Sequence, residues 1–423
     1  MVKIIRHFFP DLIPVLKQVK DPRHQSYITY ESQVILMVRI LAVIFHISSM
    51  RKTTEEFNKE TCIRNISTLL NIEELEEIPH WSTINDYLEK FEETELENII
   101  QQLVYRLIRM RSFEDSRIRD KYWQILIDGT QLYYSNERHC EHCLTKEHKD
   151  ENGNVRWVGY YHAVLEAKLV LNGVIVISIA TEFIENEKAN VSKQDCETKA
   201  FYRLAKKLKK VFPKLPICLC MDSLYASNPV FDLCKQYNWH FIIRFKDGSL
   251  PSVAEDFHAL KVIERSQKLT IIQDEITKTY RYVTDIEYHS HKLNIVECVQ
   301  SDREYPFVFL TDLPVSNRNC VQLVEDGRRR WKIENQGFNA QKNHGYELLH
   351  LFSHEYNAMK NHYLLIQIGH MIDQFVQHAM TVWKDAKSPD YMIFQTLMLS
   401  FQTHLLSDIL LEIDFVKIRY RFL

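Results

Sequence analysis

Three carboxylates stand where acids could act together. Asp128 closes the run Gln124-Ile125-Leu126-Ile127-Asp128-Gly129-Thr130, and Asp222 closes Leu215-Pro216-Ile217-Cys218-Leu219-Cys220-Met221-Asp222-Ser223. Each is a short apolar stretch of β-forming residues that stops on an acid, the pattern of a buried strand carrying a carboxylate to its exposed tip. Glu334 lies in the stretch from Arg328 to Lys342, which reads as a later helix able to lean over those tips. Oxygen ligands with no His or Cys among them suit a hard divalent cation. The competing reading of the two aspartates is ordinary turn or N-cap duty.

In this order the three motifs resemble the DDE transposases of bacterial insertion sequences, specifically the insertion-sequence-four type, over roughly residues 120 to 370. In that family the third carboxylate sits in a helix carrying a Tyr, an Arg, the Glu and a Lys at set intervals. Arg330 and Glu334 match the pattern; Gly327 stands where the family has Tyr, and Lys342 falls one position late, with Gln341 in the usual place. The resemblance implies catalytic and metal-binding roles for Asp128, Asp222 and Glu334, which should converge within bridging reach of two Mg²⁺ ions, with Mn²⁺ an accepted substitute. Such a pair supplies an in-line nucleophile, charge neutralisation and help for the departing oxygen in phosphodiester transfer. It also implies DNA contacts for Arg328, Arg329, Arg330, Trp331 and Lys342.

Elementary geometry leaves choices open at these positions. Arg330 is one turn before Glu334, so it can grip a phosphate or merely pair with Glu334. On an ideal helix Gln341 aligns with Glu334 and Lys342 does not, unless Gly337 bends the helix. Trp331 is either core or a stacking platform for an unpaired base. A separate cluster, His139-Cys140-Glu141-His142-Cys143 with His148 and His162 beyond, is either a zinc site built on Cys140 and Cys143 or a polar loop. Glu182 and the Asp195-Cys196-Glu197 turn read as structural or helix-start charges.

The elements that must hold these groups follow from periodicity. Residues 1–115 read as a helical domain for DNA-end binding or dimer contacts. Thr29 is its candidate cap for an apolar helix over 34–45, and Thr94-Glu95-Leu96-Glu97 a capping box for a helix ending at Arg106, Arg109 and Arg111. From 120 to 370 strands dominate. Asn172-Gly173 joins two β-rich runs as a hairpin, and helix, strand, helix, strand follow. This is an α/β chain with a ribonuclease-H-like mixed sheet. Between Asp222 and Glu334 lie 334 − 222 = 112 positions of mainly β pattern, so a β-rich insertion is expected over 249–315. C-terminal helices fill 371–423, ending on a basic tail, Lys417 to Arg421.

Bulk properties constrain the partners. The chain has 423 residues, 45% hydrophobic and 26% charged, with only nine Gly and 11 Pro, so it can bury a large core without long low-complexity segments. Its net charge of −3 excludes a uniformly basic surface and confines any DNA contact to local stripes, expected to join Arg106, Arg109 and Arg111 with Arg328 to Arg330 in one concave face. Nine scattered Cys without a secretory leader point to reduced thiols and a cytoplasmic, nucleoid-associated bacterial protein with no membrane span. The leading reading is a transposase that cleaves element ends and transfers the 3′-OH strand to target DNA, as a homodimer on paired ends. The alternatives are a domesticated, non-cleaving DNA-binding descendant and a ribonuclease-H-like nuclease without strand transfer.

Overall fold

The computed structural model describes residues 1–423 apart from 74, 189–190, 265–266, 380–389 and 408–423. Its strands are β1 (Trp123–Ser135), β2 (Leu144–Lys149), β3 (Val155–Leu171), β4 (Ile175–Ile184), β5 (Ile217–Met221), β6 (His240–Arg244), β7 (Lys268–Gln273), β8 (Ile276–Tyr288), β9 (His291–Gln300) and β10 (Phe307–Thr311). All ten join one sheet. β3 pairs with β1 on one side; on its other side it pairs with β2 through its first half and with β4 through its second. From β1 the order continues β5-β6-β10-β9-β8-β7. β1 and β5 run parallel, as do β5 and β6, while β3 and β4 are antiparallel neighbours. Numbering β1, β3, β4, β5 and β6 as first to fifth gives the order 3-2-1-4-5, the ribonuclease-H-like mixed sheet.

The hairpin between β3 and β4 turns on Asn172 and Gly173, both left-handed at φ 48° and 69°, as a two-residue turn matched to strand twist requires. The inserted strands do not form a separate β body. β10 pairs antiparallel with β6, so β10-β9-β8-β7 prolongs the core sheet.

The helices before β1 are α1 (Val2–Phe8), α2 (Leu12–Gln18), α3 (Ser32–Ile44), α4 (Met50–Phe57), α5 (Glu60–Leu70), α6 (Trp81–Lys90) and α7 (Glu93–Ile108). Those after β4 are α8 (Glu197–Val211), α9 (Asn228–Tyr237), α10 (Pro251–Ile263), α11 (Cys320–Arg328), α12 (Ala340–Asn343), α13 (Tyr356–Ala379) and α14 (Asp390–Thr403). α3 is buried along its whole length, including Arg39, whose guanidinium reaches His362 and lies over the Phe352 ring. The expected caps shift: α3 starts after Glu31 rather than Thr29, and α7 starts after Glu92, which leaves Thr94 inside the first turn and no capping box. Neither N-cap side chain accepts a backbone N–H of its helix, so packing rather than capping fixes both starts.

Side-chain alternation sorts the sheet into two faces. Ile125, Ile127, Ile217 and Leu219 belong to a core shared with α8, α9, the N-terminal helices and α13. Leu126, Cys218 and Cys220 point the other way, against Cys320, Leu323 and Val324 of α11 and against Ile333 and Phe338. α13 packs on α3, α6, α7 and β4, and Phe8, Phe113 and Phe375 meet in one aromatic group. The helices of residues 1–115 are therefore built around α13 and share its core. α13 also runs unbroken across position 370, so a domain boundary at 371 would fall inside one helix. The basic stretch Lys417 to Arg421 lies outside the described residues.

A buried polar network ties the sheet to α13. Lys168 and Glu166, neighbours but one on β3, are both fully buried, 3.7 Å apart. Glu166 accepts from Ser178, Thr181 and Tyr363, and Lys168 donates to Gln367 at 2.8 Å. Removing one partner of such a pair strands a charge in low dielectric. Lys168→Ala should lower unfolding free energy by about 3 kcal/mol, and Lys168→Met with Glu166→Gln by clearly less; equilibrium denaturant unfolding of the two variants provides the comparison.

Candidate active site

Parallel pairing places the two acids side by side, but only Asp222 follows a strand end: β1 continues past Asp128 to Ser135 against β3, so Asp128 lies mid-strand and not at the tip expected from sequence. β1 and β5 register Gln124 with Cys218 and Leu126 with Cys220. Two residues further along the same alternation, Asp128 and Asp222 stand at matching levels on the face covered by α11. Both are half-buried. Asp222 ends β5 and caps a short 3-10 turn, its Oδ1 accepting from the Leu224 N–H at 2.7 Å and the Ser223 hydroxyl at 3.0 Å. Asp128 Oδ1 accepts from the Gly129 N–H, and its Oδ2 accepts from Arg330 Nη1 at 3.0 Å.

Glu334 arrives on an irregular helical stretch. After α11 ends, Ile333–Asn339 forms a π-helical turn that runs into α12. A π turn takes up one residue more than an α turn, and that extra residue settles the Gln341 and Lys342 alternatives. Gln341 is fully buried and bonds Gln367 and His370 on α13. Lys342 faces the acids instead: Glu334 and Asp128 raise its pKa, although burial outweighs them and leaves it lowered. The late Lys thus recovers the side of the helix that an ideal α-helix would deny it.

Arg330 does not pair with Glu334, the protein partner expected for it from sequence; it bonds Asp128, and Glu334 is exposed. Among the described residues, Asp128, Asp222 and Glu334 do not bring their oxygens within 4.8 Å of one another. Local bonds explain this: Arg330 holds Asp128, and the 3-10 turn holds Asp222.

A fourth acid joins the site. Glu197, the first residue of α8, reaches over the middle of β1 from the opposite side, accepts from the Tyr225 hydroxyl at 2.7 Å, and lies so close to Gly129 that a Cβ there would sit 2.8 Å from Glu197 Oε2. Its helix-start position was legible in sequence; its approach to Asp128 was not. The signal was Gly129, the residue that leaves room for it. The crowding has an electrostatic consequence: burial pushes the Asp128 carboxyl up to about 6, Glu197 and Glu334 add to the rise, and Arg330 and the Gly129 N–H oppose it.

Beside Asp222 opens a cleft of about 440 Å³ lined by Arg244, Arg303, Phe307, Arg328 and Trp331 among others. Trp331 is 58% exposed at its edge, so it is not core. Arg244, Arg303 and Arg328 all lie over the Phe307 ring. Arg328 also pairs with half-buried Glu325, whereas Arg329 is bound to buried Asp326 at 3.2 Å. Gly327 has no room for a side chain, because a Cβ would meet the Phe309 ring at 2.6 Å; the family Tyr could not fit here. Arg106 and Arg109 line a different cavity, with Asp11 and Tyr105. Their helix α7 packs into the core on the other side of the sheet from α11, so the described residues do not form the single concave basic face expected from sequence.

Against family models, residues 120–372 match the transposase DDE domain, and residues 13–104 match a DDE_Tnp_1-associated domain. The chain belongs to the DDE transposase family. A piggyBac transposase synaptic complex with hairpin DNA, solved by cryo-electron microscopy, shows a TM-score of 0.42 at 10% identity, over 98% of this chain and 82% of that one. No curated protein matches. Among the described residues, no helix of the transposase is long and apolar enough to cross a membrane.

Two measurements probe the site of this transposase. Because the folded-state pKa of Asp128 is raised, the native state holds its proton longer than the unfolded chain. The resulting stability is fully present below about pH 4 and is lost as pH rises through about 6. In chelator, wild type should lose roughly 2–3 kcal/mol relative to Asp128→Asn between pH 4 and 8; parallel urea titrations show whether the two curves diverge. Separately, Gln341→Ala should cost about 1–2 kcal/mol by breaking buried hydrogen bonds, while Lys342→Ala should leave stability nearly unchanged and flatten the salt dependence of DNA binding by about one unit.

Proposed function

We propose that this chain is a transposase of the insertion-sequence-four type that cleaves the ends of a DNA element and joins the freed 3′-OH to target DNA. The observation that carries the reading is the pairing of Asp128 and Asp222 on adjacent parallel strands, under a helical stretch that brings Glu334 and Arg330 to the same place. Family membership supports nucleic-acid strand transfer as the reaction class.

The donor set fits divalent cations. Asp128, Asp222, Glu334 and Glu197 are hard oxygen donors, and among the charges felt at Asp128 the cations are Arg330 and, through its own field, Lys342. That surplus of carboxylate is what a Mg²⁺ pair neutralises. Asp128, Asp222 and Glu334 would hold the ions, which supply charge neutralisation and an activated oxygen nucleophile when bound. Arg330, held 3.0 Å from Asp128, would be free to grip a DNA phosphate bidentately wherever Asp128 serves as a cation ligand. Glu197 positions Asp128 by packing over Gly129 while held by the Tyr225 hydroxyl. Lys342, from the far side of the π turn, adds a cation whose charge is felt together with those of Glu334 and Asp128 and which would suit a DNA phosphate.

The basic cleft beside Asp222 is suited to the flanking strand, with Arg328 and Arg244 toward phosphates and Trp331 toward an unstacked base. Arg329 serves the fold instead, through Asp326 and Gln124. Pairing of two element ends calls for two copies of the chain, and a bacterial cytoplasm is the setting that suits nine free thiols.

An assay that joins labelled element ends to a plasmid tests this function. Asp128→Asn, Asp222→Asn and Glu334→Gln should each lower cleavage and joining by about a thousandfold or more with end-DNA binding retained. Full activity in any of them would remove that acid from the catalytic set, and cleavage without joining in wild type would make the protein a nuclease.

A further inference from the structure

The loop between β1 and β2 carries a cluster that the carboxylate chemistry does not use. Cys140 Sγ and Cys143 Sγ are 3.6 Å apart, and each lies 3.5 Å from His162 Nε2. His162 is on β3, and the register that pairs Leu144 with Tyr161 brings the start of β2 against it. The three groups form a nearly equilateral triangle. Bonds of about 2.3 Å to sulfur and 2.0–2.1 Å to nitrogen in a tetrahedral zinc site imply edges of roughly 3.8 Å and 3.6 Å, close to the spacing found here. Among the described residues, no other group of three His, Cys, Asp or Glu side chains comes together this tightly.

The surroundings are those of a built site. Cys143 and His162 are 5% and 7% exposed. The Cys140 N–H donates to Cys143 Sγ at 3.4 Å, the kind of outer bond that steadies a thiolate ligand. Asn186 clamps the loop from the end of β4, donating from Nδ2 to the Cys143 carbonyl and from its N–H to the His142 carbonyl. The Tyr356 ring, at the first residue of α13, stacks on both His142 and His162, and its hydroxyl donates to Glu185. Four separate segments of the chain thus meet at the triangle.

We propose that Cys140, Cys143 and His162 bind a zinc ion, with water at the fourth corner, and that this ion fastens the loop leaving the Asp128 strand to β3 and to the start of α13. Two soft thiolates with an imidazole select zinc over the hard cations that suit the carboxylate centre. The sulfur separation of 3.6 Å also distinguishes the arrangement from a disulfide, whose S–S bond is about 2.05 Å. The site is independent of whether the protein transposes DNA. His139 and His148 stay outside it: they stack on Tyr160 and Trp157.

The test uses the full chain, purified in reducing buffer and dialysed without chelator. Elemental analysis should find about one zinc per chain in wild type and in Asp128→Asn, and none in Cys140→Ser/Cys143→Ser or His162→Ala. Exchange of the zinc for Co²⁺ in wild type should give the visible and sulfur-to-metal charge-transfer bands of a tetrahedral thiolate site; this readout decides even where a variant does not fold. Wild type without zinc, a Co²⁺ spectrum lacking thiolate bands, zinc lost in Asp128→Asn but kept in the double Ser variant, or a mass two protons light from a Cys140–Cys143 disulfide would each overturn the proposal.

Discussion

Everything in the site depends on the parallel pairing of β1 with β5. Register in a sheet has a period of two, so a slip of one residue would turn one aspartate to the opposite face. The pairing is secured by burial on both sides: Ile125, Ile127, Ile217 and Leu219 fill one core, and Leu126, Cys218 and Cys220 fill the other. A strand buried on both faces leaves no freedom to shift, and polar side chains appear where that burial ends, at Asp128 midway along β1 and at Asp222 just past β5. Two acids at the same level are a consequence of hydrophobic packing beneath them.

Placing acids together costs repulsion and desolvation, and the structure offsets both with local bonds. Arg330 balances Asp128, the 3-10 turn after β5 balances Asp222, and the N-terminal position of Glu197 in α8 places that acid at the favourable end of a helix. Asp128 nonetheless stays well above the usual carboxylate range, because its burial outweighs the nearby guanidinium. That imbalance is the electrostatic signature of a site that accepts added positive charge.

The π turn over Ile333–Asn339 solves a problem of phase. One residue too many separates Glu334 from Lys342 for an α-helix, and the wider turn absorbs it, so Gln341 reaches the core and Lys342 the acids. The buried chain from Lys168 through Gln367 to Gln341 then fixes that turn to both the sheet and α13. Since α13 is also the helix around which the N-terminal helices pack, they and the stretch that carries Glu334 share one support.

By itself the sequence determined the strands that carry Asp128 and lead into Asp222, the Asn172-Gly173 hairpin and the β character of the long stretch before Glu334, because these are written in local periodicity and turn chemistry; it did not determine that β1 continues past Asp128 to Ser135. The family motif was legible for the same reason, as residue types at short spacing. What only tertiary structure decided was how distant segments share space. The inserted strands extend the core sheet through β10 on β6, since an open edge finds its hydrogen bonds there. Arg330 chooses Asp128 over its helical neighbour Glu334, and Glu197 enters the site over a glycine. The two arginine clusters part to opposite sides because their helices pack on opposite faces. No local pattern encodes these outcomes: each depends on which long-range partner is nearest once the core has formed.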